Sequence, residues 1–101
     1  MAEVNYTYVP WEQLQARTIA VFRAAGSDLR EAQLIAEHLV EANLRGHDSH
    51  GVGVVPMYLR SQRAKGLVLN QELRVAIDTG AMLICDAGLG AGQVMAHDAM
   101  V

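Results

Sequence analysis

Cysteine occurs once, at Cys85, so no disulfide can close within the chain and a disulfide-stapled secreted scaffold is excluded. Long apolar runs are missing. Stretches free of Asp, Glu, Lys and Arg, such as 87–97 and 51–59, fall well short of the roughly 18 residues a membrane helix needs. Basic side chains are few and scattered, eight against eleven acidic ones for a formal charge of −3. A mildly acidic chain without a basic run is a poor partner for a phosphate backbone, which argues against nucleic acid. Residues 1–6 contain neither a basic nor an apolar leader segment, and a cytoplasmic, reducing setting is the expectation.

What is present is an apolar fraction of 51% in 101 residues, room for one modest core and too hydrophobic for disorder. Val4, Tyr6 and Tyr8 alternate as in an extended lead-in over 1–9. Trp11, Leu14, Thr18, Val21, Phe22 and Ala25 recur at helical spacing, which predicts a helix over 10–25 with Pro10 at its start and Gly26 as its stop. Ser27 reads as the next N-cap, with Asp28 and Glu31 placing negative charge at the helix start. Leu29, Ala32, Ile35, Ala36, Leu39, Val40 and Asn43 form the inward stripe of a second helix ending near Arg45. A third helix is expected over 55–64, closed by Gly66, with Ser49 as an alternative start. Residues 73–78 and 81–86 read as two strands, possible partners in a hairpin about Thr79-Gly80. A glycine-rich loop, 87–92, then leads into a fourth helix over 93–101. The last segment carries no helix stop signal, which is the expectation for a truncated chain. Met82, Met95 and Met100 read as core filler and Cys85 as a small buried hydrophobe.

Polar chemistry is densest in Arg45-Gly-His-Asp-Ser-His-Gly51. His47, Asp48, Ser49 and His50 lie between glycines that let a ligand approach the backbone. If Ser49 and His50 open the third helix, the two side chains and the helix N-terminus could face an anion such as a carboxylate together. The other reading is a polar turn with Asp48 or Ser49 as N-cap. Metal binding by His47 and His50 lacks a third ligand, because His38 is mid-helix, His97 is distant in sequence and Cys85 stands alone. Ser49 lacks the Gly-x-Ser-x-Gly setting of a nucleophile. The Gly88-Leu-Gly90-Ala-Gly92 loop has the strand-to-helix context for nucleotide phosphates but not the G-x-G-x-x-G spacing.

These residues carry a resemblance. Ala42-Asn-Leu-Arg-Gly-His-Asp-Ser-His-Gly-Val-Gly53, then Pro56-x-Tyr58 and Arg60, resembles the malate/L-lactate dehydrogenase type 2 family. That family includes ureidoglycolate, sulfolactate and hydroxycarboxylate dehydrogenases. Segments 20–27 and 90–100 are similar to its N-terminal region as well. The resemblance implies an α+β chain in which a helical segment of about three helices, 1–70, is followed by a short β pair, the glycine loop and a helix. Residues 71–101 would then begin a larger, non-Rossmann NAD(P)-binding α/β domain. It implies hydride transfer between NAD or NADP and a small 2-hydroxy or 2-oxo acid, and a homodimer for the full-length enzyme. Ser49 and His50 take the substrate-binding positions, with His47, Asp48 and Gly51 supporting the loop. Where some members hold the substrate carboxylate with an arginine, this chain has Val54, and Arg60 is a substitute to consider. The proton-transferring histidine, the pocket lysine and most cofactor contacts lie beyond the point matching Val101, so no catalytic residue is expected within the chain and the chain alone is expected to be inactive. A small, complete helical interaction module is the alternative reading.

Overall fold

The structure is a computed structural model and describes residues 7–101. Of the expected extended lead-in, Val4 and Tyr6 lie outside the described residues, and Tyr8 is exposed. Among the described residues, four α-helices and one hairpin follow: α1 (Trp11–Ala25), α2 (Leu29–Leu44), α3 (Val55–Arg63), β1 (Arg74–Asp78), β2 (Leu83–Asp86) and α4 (Gly92–Met100).

Pro10 precedes α1, where its missing N–H costs nothing, and Gly26 ends it in the left-handed region at φ 116°. Two residues then reverse the chain into α2. The expected cap at Ser27 is corrected: Asp28 is the N-cap, and its carboxylate accepts from the Glu31 N–H at 2.8 Å. Ser27 is used differently. Its buried hydroxyl donates to Glu31 Oε2 at 2.7 Å. Glu31, also buried, accepts from the Asn70 N–H at 2.9 Å and 3.1 Å through its two oxygens. The Asn70 side chain donates to Gly26 O at 2.8 Å and accepts from Asp28 N–H at 2.7 Å. This network fastens the segment after α3 to the α1–α2 corner, and each buried polar group in it is paired.

The core is built from Phe22 of α1, Ala32, Ile35 and Leu39 of α2, and Ala91, Val94 and Met95 at the start of α4. The predicted α2 stripe is buried at Ala32, Ile35, Ala36, Leu39 and Val40, whereas Leu29 in the first turn is half exposed. Met95 alone of the three expected core methionines is buried; Met82 and Met100 are exposed. Arg30 and Asp98 pair across α2 and α4, which holds the Asp98 carboxyl below its ordinary value through that hydrogen bond and then His97.

α3 begins at Val55 with Pro56 in its first turn. Its end is not made by Gly66 as expected. Lys65 takes the left-handed conformation at φ 62°, and the Gly66 N–H closes on Ser61 O at 2.8 Å. β1 and β2 form the expected hairpin, antiparallel, with Val75 opposite Cys85, Ile77 opposite Ile84 and a bulge between Val75 and Ile77. Its turn is longer than Thr79-Gly80: the Thr79 N–H donates to Met82 O at 2.9 Å, so β2 starts at Leu83. No residue of β1 or β2 is buried. Val75, Ile77, Leu83 and Ile84 remain about half exposed, and Cys85 is partly exposed where a buried residue was expected.

Candidate functional site

The polar loop is shaped by the end of α2. The Gly46 N–H donates to Asn43 O and the His47 N–H to Ala42 O, and Gly46 at φ 78° turns the chain off the helix axis. Residues 48–50 and 52–54 then form two short 3₁₀ turns. Ser49 and His50 therefore do not open the third helix, and the expected anion site at a shared helix N-terminus is corrected. The 3₁₀ turns intervene because Gly51 adopts an extended ψ of −154° between them.

Asn43 is the loop's anchor. Its Oδ1 accepts from the Val52 N–H at 2.9 Å and its Nδ2 donates to Asp48 Oδ1 at 2.8 Å. The carboxamide occupies the space a Cβ on Gly51 would need, so glycine is required there by close approach rather than by φ. Asp48 is held by Asn43 rather than aimed at a ligand. The His47 ring lies against that of His50, centroids 4.1 Å apart and planes tilted by 36°. Ser49 Oγ and His50 Nδ1 are hydrogen-bonded at 2.9 Å. With the hydroxyl as donor, His50 Nε2 carries the ring proton and is left to donate; with the roles reversed, Nε2 accepts.

Ser49 and His50 line a cleft of about 410 Å³ together with His38, Val54, Tyr58 and Gln93. The Tyr58 hydroxyl accepts from Gln93 Nε2 at 2.9 Å, and its ring packs edge-on to Phe22 at 6.3 Å. The cleft floor is thereby tied to the core. Reading the sequence alone assigns no site role to His38, Tyr58 or Gln93. His38 is the informative case: it lies three residues after the core residue Ile35 and one before Leu39, at the edge of the buried stripe, where an exposed histidine from α2 can reach the loop's side of the helix. Arg60 is exposed and is not among the cleft's lining residues.

The glycine loop offers no phosphate cradle. The Gly88 N–H is taken by Asp86 Oδ1 at 2.9 Å and the Gly90 N–H by Ala87 O at 2.9 Å. The side chains of Gln71 and Met95 crowd the space above Gly90. The same Gly88 N–H, with Arg74 at 3.0 Å, holds the Asp86 carboxyl below its ordinary value, so an anionic group already faces these amides. Among the described residues, no three His, Cys, Asp or Glu side chains gather in a metal-binding group, and no helix is long and apolar enough to cross a membrane.

Comparison with known proteins identifies the class. The chain belongs to the malate/L-lactate dehydrogenase family, whose profile matches residues 9–101. Among individual relatives, it is 47% identical over 81 residues, 80% of its length, to hydroxycarboxylate dehydrogenase B of Escherichia coli K12, of which it covers 22%. The solved malate dehydrogenase of Pyrococcus horikoshii superposes with a TM-score of 0.89 at 30% identity, over 99% of this chain and 30% of that one. The sulfolactate dehydrogenase of Methanocaldococcus jannaschii gives 0.84 at 28% identity, over 89% of this chain and 26% of that one. The resemblance carried by the Arg45–Gly53 string is thus borne out, and the chain spans between a fifth and a third of the length of these relatives.

Proposed function

We propose that this chain is the N-terminal portion of an NAD(P)-dependent dehydrogenase of small 2-hydroxy acids, and that Ser49 and His50 bind its substrate. The observation that carries this reading is the hydrogen-bonded Ser49–His50 pair on the wall of a cleft, in a chain that belongs to the malate/L-lactate dehydrogenase family. The malate, sulfolactate and hydroxycarboxylate dehydrogenases among its relatives support the substrate class. Family membership favours this reading over that of a small, complete helical interaction module. The hairpin and the glycine loop, residues 71–101, are read as the start of a non-Rossmann cofactor-binding domain, with α4 packed back onto the helical segment. A homodimer in the full-length enzyme and a cytoplasmic location complete the proposal.

In this class of reaction the nicotinamide ring exchanges a hydride with the hydroxyl-bearing carbon. Residues 87–92 do not fit the dinucleotide's phosphates, so no step is assigned to them. What this chain contributes is positioning. Ser49 fixes the imidazole of His50, and His50 Nε2 is left to hydrogen-bond a substrate oxygen. The reading is tested by expressing the whole reading frame and following NAD or NADP reduction with malate, L-lactate and sulfolactate. His50→Ala is expected to lower kcat/KM by about 100-fold, the scale of lost substrate positioning. Unchanged turnover in His50→Ala would refute the assignment.

A further inference from the structure

We infer that Asn43 is the positioning residue of the Ser49–His50 pair, and that Asp48, which faces it, makes asparagine the residue required there. The inference rests on the substrate-binding reading of that pair and adds the residue through which the fold holds it. Asn43 lies one turn beyond Leu39 and two beyond Ile35 on α2, both buried in the core, and is itself half-buried at the foot of the loop. From there a single carboxamide grips the chain on both sides of the pair. Its Nδ2 donates to Asp48 Oδ1 at 2.8 Å, and its Oδ1 accepts from the Val52 N–H at 2.9 Å. Asp48 and Val52 are the first residues of the two 3₁₀ turns, with Ser49, His50 and Gly51 between them. Ser49 and His50 line the cleft, whereas Asn43 and Asp48 are not among its lining residues. Asn43 therefore acts through the pair and carries the rigidity of the core to it.

The two bonds have opposite polarity. A backbone N–H can only donate and an ionised carboxylate can only accept, so position 43 must accept on one side and donate on the other. A carboxamide does both. Aspartate has the same shape and could accept from Val52, but it cannot donate, and it would set two carboxylates against each other at position 48. Alanine reaches neither partner. The longer glutamine has no room, because the carboxamide of Asn43 already fills the space above Gly51. The requirement is reciprocal. With Asp48→Asn in place, an aspartate at 43 finds a donor on each side, the Val52 N–H and the carboxamide at 48. Exchanging the two side chains thus rebuilds the same bracket with one bond reversed, whereas changing position 43 alone breaks it.

The test uses the protein expressed from the complete reading frame, as parent, Asn43→Asp, Asp48→Asn and the double variant. Kinetics are followed with L-malate, L-lactate and sulfolactate and with NAD or NADP, well below the melting temperature of each variant. Asn43→Asp should lower kcat/KM for the hydroxy acid by roughly 10–100-fold, the scale of a binding group displaced by about 1 Å, and leave the KM of the nucleotide as it is. A segment that merely unfolded in part would lower kcat and leave both KM values alone. Asp48→Asn keeps an acceptor for Asn43 Nδ2 and should cost less than Asn43→Asp. Added to Asn43→Asp, it should restore most of the lost kcat/KM, a reversal of sign that independent sites do not give. Hydrogen exchange of the amides of residues 50–52, measured on the same proteins, should quicken in Asn43→Asp and slow again in the double variant. The inference is overturned if Asn43→Asp keeps the parent's kcat/KM, or if the double variant is no better than Asn43→Asp. Where Asn43→Asp does not fold, the double variant decides: it should fold and turn over near the parent, and its failure overturns the inference. Failure here is distinguishable from failure of the dehydrogenase reading. An active enzyme that His50→Ala impairs and Asn43→Asp does not defeats this inference alone. A parent inert toward all three acids defeats the dehydrogenase reading, and the exchange rates then decide the bracket, which falls if Asn43→Asp exchanges like the parent.

Discussion

Replacing Glu31 by alanine tests the clamp that joins residue 70 to the α1–α2 corner. The carboxylate is buried and accepts from two donors, the Ser27 hydroxyl at 2.7 Å and the Asn70 N–H at 2.9 and 3.1 Å. A hydrogen bond to a charged group contributes about 1.5–3 kcal/mol, and each donor left without a partner costs about 1–3 kcal/mol. Freeing the protein from burying a carboxylate offsets part of this, so the net loss is about 3 kcal/mol. For a domain of this size about 1 kcal/mol moves Tm by 4–8 °C, so Glu31→Ala should melt roughly 12–24 °C below the parent. Glu31→Gln keeps the shape and one acceptor and should lose about 1 kcal/mol. The assay is thermal unfolding by circular dichroism, extended to a double-mutant cycle with Ser27→Ala. The coupling energy should be about 1.5–3 kcal/mol, because the two groups share one buried bond. A Tm drop under about 4 °C for Glu31→Ala, or strict additivity in the cycle, would show that the network does not hold the corner.

Gly51→Ala should drive the Asn43 carboxamide out of its place and release both the Val52 N–H and Asp48, at a cost of about 1–3 kcal/mol; hydrogen exchange should show the Val52 amide losing protection first. Acid should destabilise the fold through Asp86 and Asp98, whose folded values lie below the ordinary 3.8. Their contribution is complete above pH 3.8 and is lost as pH falls through the lowered values, because there the unfolded chain binds protons that the folded one does not. Asp98→Asn and Asp86→Asn should each flatten the acid limb of a stability curve, and 0.5 M salt, on the order of a 4 Å screening length, should do the same, since both pairs are exposed.

The helices and the hairpin were legible because periodicity and stop residues act locally. Phe22, Ile35 and Leu39 are buried where a 3.6-residue repeat places them, and Gly26 ends α1 as a left-handed residue must. What was misread depends on partners distant in sequence. Ser27 has the chemistry of a cap, but its hydroxyl is drawn into the bond with Glu31, which Asn70 completes from 39 residues away. Met82, Met100 and Cys85 have apolar side chains, yet the hairpin and the end of α4 have no layer against them among the described residues. In the site, the Gly46–Gly51 string was readable as a place of chemistry, and Ser49 and His50 do reach one cleft. The other walls, His38, Tyr58 and Gln93, come from three helices and meet only once the core has formed. Sequence spacing carries no trace of such a meeting.

The hairpin has a consequence for the chain in concentrated solution. Two strands are seldom stable in water by themselves, and each of these presents one outer rail of backbone donors and acceptors beside half-exposed Val75, Ile77, Leu83 and Ile84. Those rails are adhesive to any extended segment that meets them, including the same hairpin in another molecule. Self-association should therefore begin at 74–86, and a lysine placed at Ile77 or Ile84 should keep the molecules apart without touching the helical core.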